Sequence, residues 1–207
     1  MLPRVQLVNL LTLALLASFG CSGKPGRLHP PEIPDDAGQQ AVSKYDANGN
    51  GAIDGEELAK VPALQATLKR VDKNNDGQVS ADEINERIES WRRSKTALMR
   101  YVVTVTRNGR PLEGAVVTFT PESFLGNAVK PAKGTTTGSG SANLEISRDP
   151  DERGVQLGYY RIEVTKADAS GNEQLPARFN TETKLGTEIC RDDPNADKLA
   201  IDLKESP

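Results

Sequence analysis

Histidine is almost missing from this chain. There is one, His29, in 207 residues, and it stands among prolines, where it is expected to be solvated. Ser-His-Asp and Cys-His catalytic sites need an imidazole to carry a proton, so both are excluded. Cysteine is nearly as scarce, with only Cys21 and Cys190. Two thiols cannot build a disulfide framework. The aromatic share is 4%, so the core must be aliphatic and modest. Charge of one sign is also lacking. Charged residues make up 27% of the chain, yet the net charge is only -3. No stretch offers the basic surface that a nucleic acid demands, so no nucleic-acid partner is expected. There is no phosphate-cradling glycine loop and no zinc constellation. Asp149, Asp151 and Glu152 could in principle share acid–base work. They sit with Arg148, Pro150 and Arg153 in a polar segment where nothing would perturb them. The expectation is a solvated loop, no catalytic residues and no enzyme.

The N-terminus reads as a targeting segment. Arg4 is followed by an apolar run from Val5 to Ala17 and then by Ser18-Phe19-Gly20-Cys21. The run is too short to span a bilayer and has the form of a secretory signal, residues 1–20. Its end resembles the bacterial lipobox, in which the cysteine after the cleavage point is lipidated. That pattern usually has Leu three places before the cysteine and a small residue two before, where this chain has Ser18 and Phe19. The resemblance implies that Cys21 is the first mature residue and carries a lipid. The protein would then be exported and held on a membrane of the bacterial cell envelope. Ordinary cleavage near the same place would leave a secreted soluble protein. With lipid on Cys21, Cys190 is left single; with a free Cys21, the two could bridge in an oxidising compartment. Residues 21–34 hold Pro25, Pro30, Pro31 and Pro34 and are expected to form an extended linker.

The informative stretch follows. Two twelve-residue segments, DANGNGAIDGEE from Asp46 to Glu57 and DKNNDGQVSADE from Asp72 to Glu83, repeat one pattern. Positions 1, 3, 5 and 9 carry side-chain oxygens, position 6 is glycine and position 12 is glutamate. Ca²⁺ takes roughly six to eight hard oxygen ligands, and a loop of this length wraps one only by turning sharply in its middle. The candidate ligands in the first loop are Asp46, Asn48, Asn50, the carbonyl of Ala52, Asp54 and Glu57. In the second they are Asp72, Asn74, Asp76, the carbonyl of Gln78, Ser80 and Glu83. Gly51 and Gly77 permit the left-handed turn. Asp82, at position 11, is expected to be no ligand. Ile53 and Val79, at position 8 of each loop, are expected to pair the loops through a short antiparallel contact.

Helical flanks complete the pattern. A helix starting at Asp35 or Asp36 runs to Tyr45, with Val42 and Tyr45 on one face. Leu68 and Val71 take the same places before the second loop. Pro62 ends one helix near Lys60 or Val61 and starts the next. A final helix runs from Ala81 to about Lys95, with Ile84, Ile88 and Trp91 on its buried face. These residues resemble a pair of EF-hands over residues 35–97. The resemblance implies two Ca²⁺ sites. Three carboxylates per site suggest micromolar to sub-millimolar dissociation, and loops starting only 26 residues apart leave little lever for opening. A structural role for calcium is therefore expected before a switch. A dockerin-like adhesion or scaffold module also uses two calcium loops and stands as an alternative; the incoming helices and Glu57 and Glu83 weigh against it.

From Met99 the apolar period changes from about 3.6 to 2. Asn108-Gly109 marks a tight turn between strands. Further alternation falls at Ala142, Leu144 and Ile146, at Tyr160, Ile162 and Val164, at Leu185, Thr187 and Ile189, and at Leu199, Ile201 and Leu203. With a short strand near Gly134, about seven strands result, which is the pattern of an antiparallel β-sandwich over residues 98–207. The segments RNGRPLEGAVVTFTP and LGYYRIEVTK resemble the carboxypeptidase regulatory-like, or transthyretin-like, domains. That resemblance implies a display or binding module with a protein or carbohydrate partner. A non-catalytic accessory subunit of a carbohydrate- or peptide-processing complex is the remaining alternative. The expected fold class is α+β: a small all-α pair followed by an antiparallel β-sandwich.

Overall fold

The computed structural model describes residues 28–147, 149 and 153–204. The signal segment, Cys21 and the first half of the linker lie outside the described residues. The helical part holds α1 (Ala37–Tyr45), α2 (Gly55–Leu58), α3 (Pro62–Ala66), α4 (Leu68–Val71) and α5 (Ala81–Ser94). Pro62 opens α3 at its first position, where a missing N–H costs nothing. The helix it starts does not reach the second loop in one piece. Thr67 turns its hydroxyl back to the Ala63 carbonyl (2.7 Å), and its N–H is shared between the Ala63 and Leu64 carbonyls. This back-bonding competes with the helical ladder and separates α3 from α4.

The β part follows from Val102, as the change of period predicts. One sheet orders β10 (Lys198–Leu203), β3 (Val102–Arg107) and β4 (Arg110–Pro111), with β7 (Ser141–Asn143) also on β3. The other orders β6 (Ala132–Thr135), β5 (Val116–Pro121), β8 (Gly158–Thr165) and β9 (Gly186–Ile189), antiparallel throughout. Asn108 (φ 50°) and Gly109 (φ 77°) are both left-handed, as a two-residue hairpin turn matched to strand twist requires. One pairing departs from the antiparallel expectation: β10 runs parallel to β3, with Ile201 beside Val105. Alternation within a strand cannot report the direction of its neighbour.

Consecutive strand residues face opposite ways. Tyr159 and Tyr160 are nonetheless both fully buried. Tyr160 meets Phe119 (centroids 5.8 Å apart), and Phe119 meets Tyr101 from the segment leading into β3. Tyr159 lies edge-on to Trp91 of α5 at 4.9 Å. The β6-β5-β8-β9 sheet is thus covered on one face by the first sheet and on the other by helices. One buried cluster runs from Ile33 through Leu64, Ile84 and Trp91 to Phe119, Ile162 and Leu203.

The end of the linker joins this cluster. Residues 30–34 were expected to stand off as extended chain. Ile33 is instead 5% exposed, and Pro30, Pro31 and Ile33 line a small cavity with Trp91 and Leu157. Arg92 donates to the Ile33 carbonyl and pairs with Asp35 at 2.8 Å. A proline-rich segment loses little chain entropy on docking, because its backbone is already restricted.

Candidate metal centre

Both loops fold around their first and last residues. Asp46 ends α1. Its Oδ1 accepts the N–H groups of Gly49 (2.6 Å) and Asn50 (3.3 Å), and its Oδ2 that of Gly51 (2.9 Å). Asp72 ends α4 and does the same for Asp76 (3.3 Å) and Gly77 (2.9 Å). Glu57 Oε1 accepts from the backbone of Ala47 (2.8 Å) and Asn48 (3.1 Å), and Oε2 from Asp54 (3.2 Å). Glu83 repeats this with Lys73 (2.9 Å) and Ser80 (2.9 Å). The glutamate at position 12 is the third residue of its helix, so it also closes the helix start. In α5 the closure is reciprocal, since the Ser80 hydroxyl accepts the Glu83 N–H at 3.3 Å.

The middle positions converge as well. Asn50 Nδ2 donates to Asp54 Oδ2 at 2.7 Å and Asn48 Nδ2 to Asp54 Oδ1 at 3.5 Å. Asn74 Nδ2 donates to Asp76 Oδ2 at 2.8 Å, and the Ser80 hydroxyl reaches Glu83 Oε2 at 2.8 Å. The N–H groups of Ala52 and Gln78 bond the position-5 side chains, Asn50 Oδ1 (3.0 Å) and Asp76 Oδ1 (2.8 Å). Gly51 (φ 88°) and Gly77 (φ 81°) are left-handed, as expected. So are Gly49 (φ 75°) and Asn75 (φ 60°) at position 4, a second left-handed position that the sequence reading missed. Asparagine tolerates that conformation better than most residues. Asp82 is exposed.

The two loops are pinned together. β1 (Ala52–Ile53) and β2 (Val79–Ser80) pair antiparallel, with Ile53 opposite Val79. Both side chains are fully buried. Pairing at position 8 is what the sequence led us to expect.

The donor set suits a hard dication. Each candidate ligand residue carries an oxygen, with three carboxylates per loop, and soft or borderline metals prefer nitrogen and sulfur. Among the described residues no three His, Cys, Asp or Glu side chains gather as a cluster. The loops instead intersperse asparagine, serine and backbone between their carboxylates. Asn48, Asn50 and Asn74 lend amide N–H groups to those carboxylates, a partial neutralisation that a divalent cation would supply more fully. Burial pushes the Glu57 carboxyl up, but the Ala47, Asp54 and Asn48 N–H groups outweigh it and hold it below the usual range.

Residues 43–62 and 64–87 match the EF-hand family model. The two matches cover both loops, and they support calcium binding. No curated protein sequence matches the chain.

One group of residues was not read from the sequence. Glu188 of β9 is 2% exposed. It accepts from Arg87 Nε and from Trp91 Nε1 (2.7 Å) through Oε1, while Arg70 Nε lies 3.4 Å from Oε2. Arg87 is itself 4% exposed and reaches Asp192 through both terminal nitrogens, at 2.6 and 2.7 Å. That hydrogen bonding holds the Asp192 carboxyl far below the usual range. In the sequence Arg87, Arg92 and Arg93 stand in α5 with nothing nearby that points to Glu188. The available signal was Glu188 between Thr187 and Ile189, a charge inside an otherwise strand-like run.

Proposed function

We propose that this is an exported, lipid-anchored protein of the bacterial envelope that binds two Ca²⁺ ions, one in each loop. The calcium is structural, and the β-sandwich is a non-catalytic binding or display module of the carboxypeptidase regulatory-like kind. The observation that carries the calcium reading is the duplicated oxygen arrangement, paired through Ile53 and Val79. The first ion would be held by Asp46, Asn48, Asn50, Asp54, Glu57 and the Ala52 carbonyl. The second would be held by Asp72, Asn74, Asp76, Ser80, Glu83 and the Gln78 carbonyl. Bound calcium supplies positive charge that ties these oxygens together. The chain's own part is to aim them through the N–H groups described above.

A structural role is favoured because the helices have nowhere to swing. α3 lies against β9, and the backbone of Pro62 and Ala63 sits directly on Gly186. Sensor units open by rotating helices apart, which this packing opposes.

Calorimetric titration of the mature chain with CaCl₂ tests the reading. Two ions per chain are expected, with one site lost in Glu57→Gln and the other in Glu83→Gln. No heat and no calcium-dependent rise in melting temperature would refute it. Cys21→Ser tests the anchor: the protein should leave the membrane fraction, and unchanged fractionation would exclude the lipid.

A further inference from the structure

The two loops differ in what their flanking helices hold. α4 carries Arg70, two residues before Asp72. α5 carries Glu83 and then, one turn further on, Arg87, with Trp91 a turn beyond. Both arginines and the tryptophan meet at one buried carboxylate, Glu188. Arg87 and Trp91 take one oxygen and Arg70 approaches the other. The far sides of the arginines are fixed too, Arg87 by Asp192 and Arg70 by Asp193 at 2.6 Å. The helix entering the second loop and the helix leaving it are therefore fastened at one point on the sheet. The first loop is flanked by a looser arrangement: the buried Glu122 accepts the Ala63 N–H at 3.5 Å and feels the charge of Lys44, but among the described residues no arginine bonds it from a helix on either side of that loop. There, Lys44 of α1 reaches the exposed Ser123 hydroxyl at 2.6 Å.

We propose that Glu188 is a positioning residue for the second calcium loop. This rests on the reading that the loops bind calcium. Glu188 touches no ion. It acts through Arg70 and Arg87, which fix where Asp72 and Glu83 stand relative to each other. A loop whose ends are already placed loses less freedom on closing around an ion, so it binds more tightly. Coupling of this kind is reciprocal: calcium in the second loop must strengthen the grip on Glu188 by the same factor. Trp91 is the only tryptophan in the chain and bonds Glu188 directly, so its emission reports on that grip.

The test is Glu188→Gln in the full mature chain, placed in two backgrounds. Glu57→Gln leaves only the second loop to bind calcium; Glu83→Gln leaves only the first. Calorimetry with CaCl₂ should show Glu188→Gln weakening the second-loop site by about tenfold, within the usual span of coupling between sites. The first-loop site should be unchanged. In the Glu57→Gln background, calcium should change Trp91 fluorescence, and Glu188→Gln should reduce that change. A general structural role would weaken both sites alike; that result, or an unchanged second site, overturns the proposal. Should Glu188→Gln fail to fold, Arg70→Met removes one arm at a side chain already one-third exposed and should give a smaller loss confined to the second loop. If the unsubstituted chain takes up no calcium, the calcium reading falls and this inference with it. If it binds two ions and neither variant moves the second site, only the positioning role falls.

Discussion

Replacing Gly186 by alanine tests how the helices are seated on the sheet. Gly186 opens β9, and its backbone does not need the left-handed region, so the residue is there for space rather than for conformation. A Cβ built on it would stand 2.2 Å from the Pro62 carbonyl carbon, 2.3 Å from the Ala63 nitrogen and 2.4 Å from the Pro62 oxygen. These are backbone atoms at the start of α3, and no rotamer change can move them aside. Either β9 or α3 must shift by roughly 1 Å or more to restore van der Waals contact. Overpacking of this kind costs about 1–3 kcal/mol. In a chain of this size each kcal/mol lowers the melting temperature by about 2–4 °C, so a fall of roughly 2–12 °C is expected. Trp91 fluorescence and far-UV circular dichroism should report the same transition. Gly138→Ala is the control, because its nearest neighbour, the Glu113 carboxylate, is 3.9 Å from the added Cβ. It should change stability by less than about 0.5 kcal/mol. A Gly186→Ala protein that melts with the control would show that α3 does not sit on β9, and the covered second face of the sheet would go with it.

Two further outcomes follow from buried titratable groups. Glu122 is 3% exposed, and burial raises its carboxyl above the usual range, against the pull of Arg161, the Ala63 N–H and Lys44. An acid whose folded value is raised loses stability as pH climbs from the unfolded to the folded value. Glu122→Gln should therefore raise the melting temperature at pH 7, with a gain that shrinks toward pH 4; equal effects at both pH values would refute this. Cys190 is 1% exposed, and burial, helped by the charge of Glu188, pushes its thiol up to about 12. In a Cys21→Ser background the native protein should resist a thiol reagent at pH 8 and react promptly once unfolded in urea; fast native labelling would contradict the packing of Cys190.

What could be read from the sequence was whatever depends on local spacing. The loops, the left-handed Gly51 and Gly77, the Ile53–Val79 pairing, the start at Pro62 and the Asn108-Gly109 turn each need only a few neighbouring residues to specify them. The features that escaped depend on partners far away in the chain. The break at Thr67 depends on its hydroxyl turning back to the Ala63 carbonyl, which residue type alone does not dictate. Ile33 looked like linker until α5 supplied a wall beside it. Glu188 looked like the polar side of a strand, because alternation predicts which face a residue takes and not whether that face meets water. Tyr159 carried the same message. It is opposite Glu188 in the ladder and on the same face, and a large aromatic there implies a covering layer.

That covering layer changes what the helical pair does for the fold. Without α1, α3 and α5, the face of β8 and β9 holding Tyr159 and Glu188 would lie open, as would Phe124, which packs 6.0 Å from Tyr159. Glu188 would lose Arg87 and Trp91 with α5, and Arg70 with α4. A buried ion pair adds little net stability against an apolar alternative, but breaking one by removing a partner is costly. The pair is therefore better suited to fixing one seating of the helices than to raising the overall stability. An apolar face alone would allow α5 to slide or rotate; two arginines aimed at one carboxylate do not. Because one of those arginines lies on each side of the second loop, the seating that completes the sheet also sets the geometry of that loop.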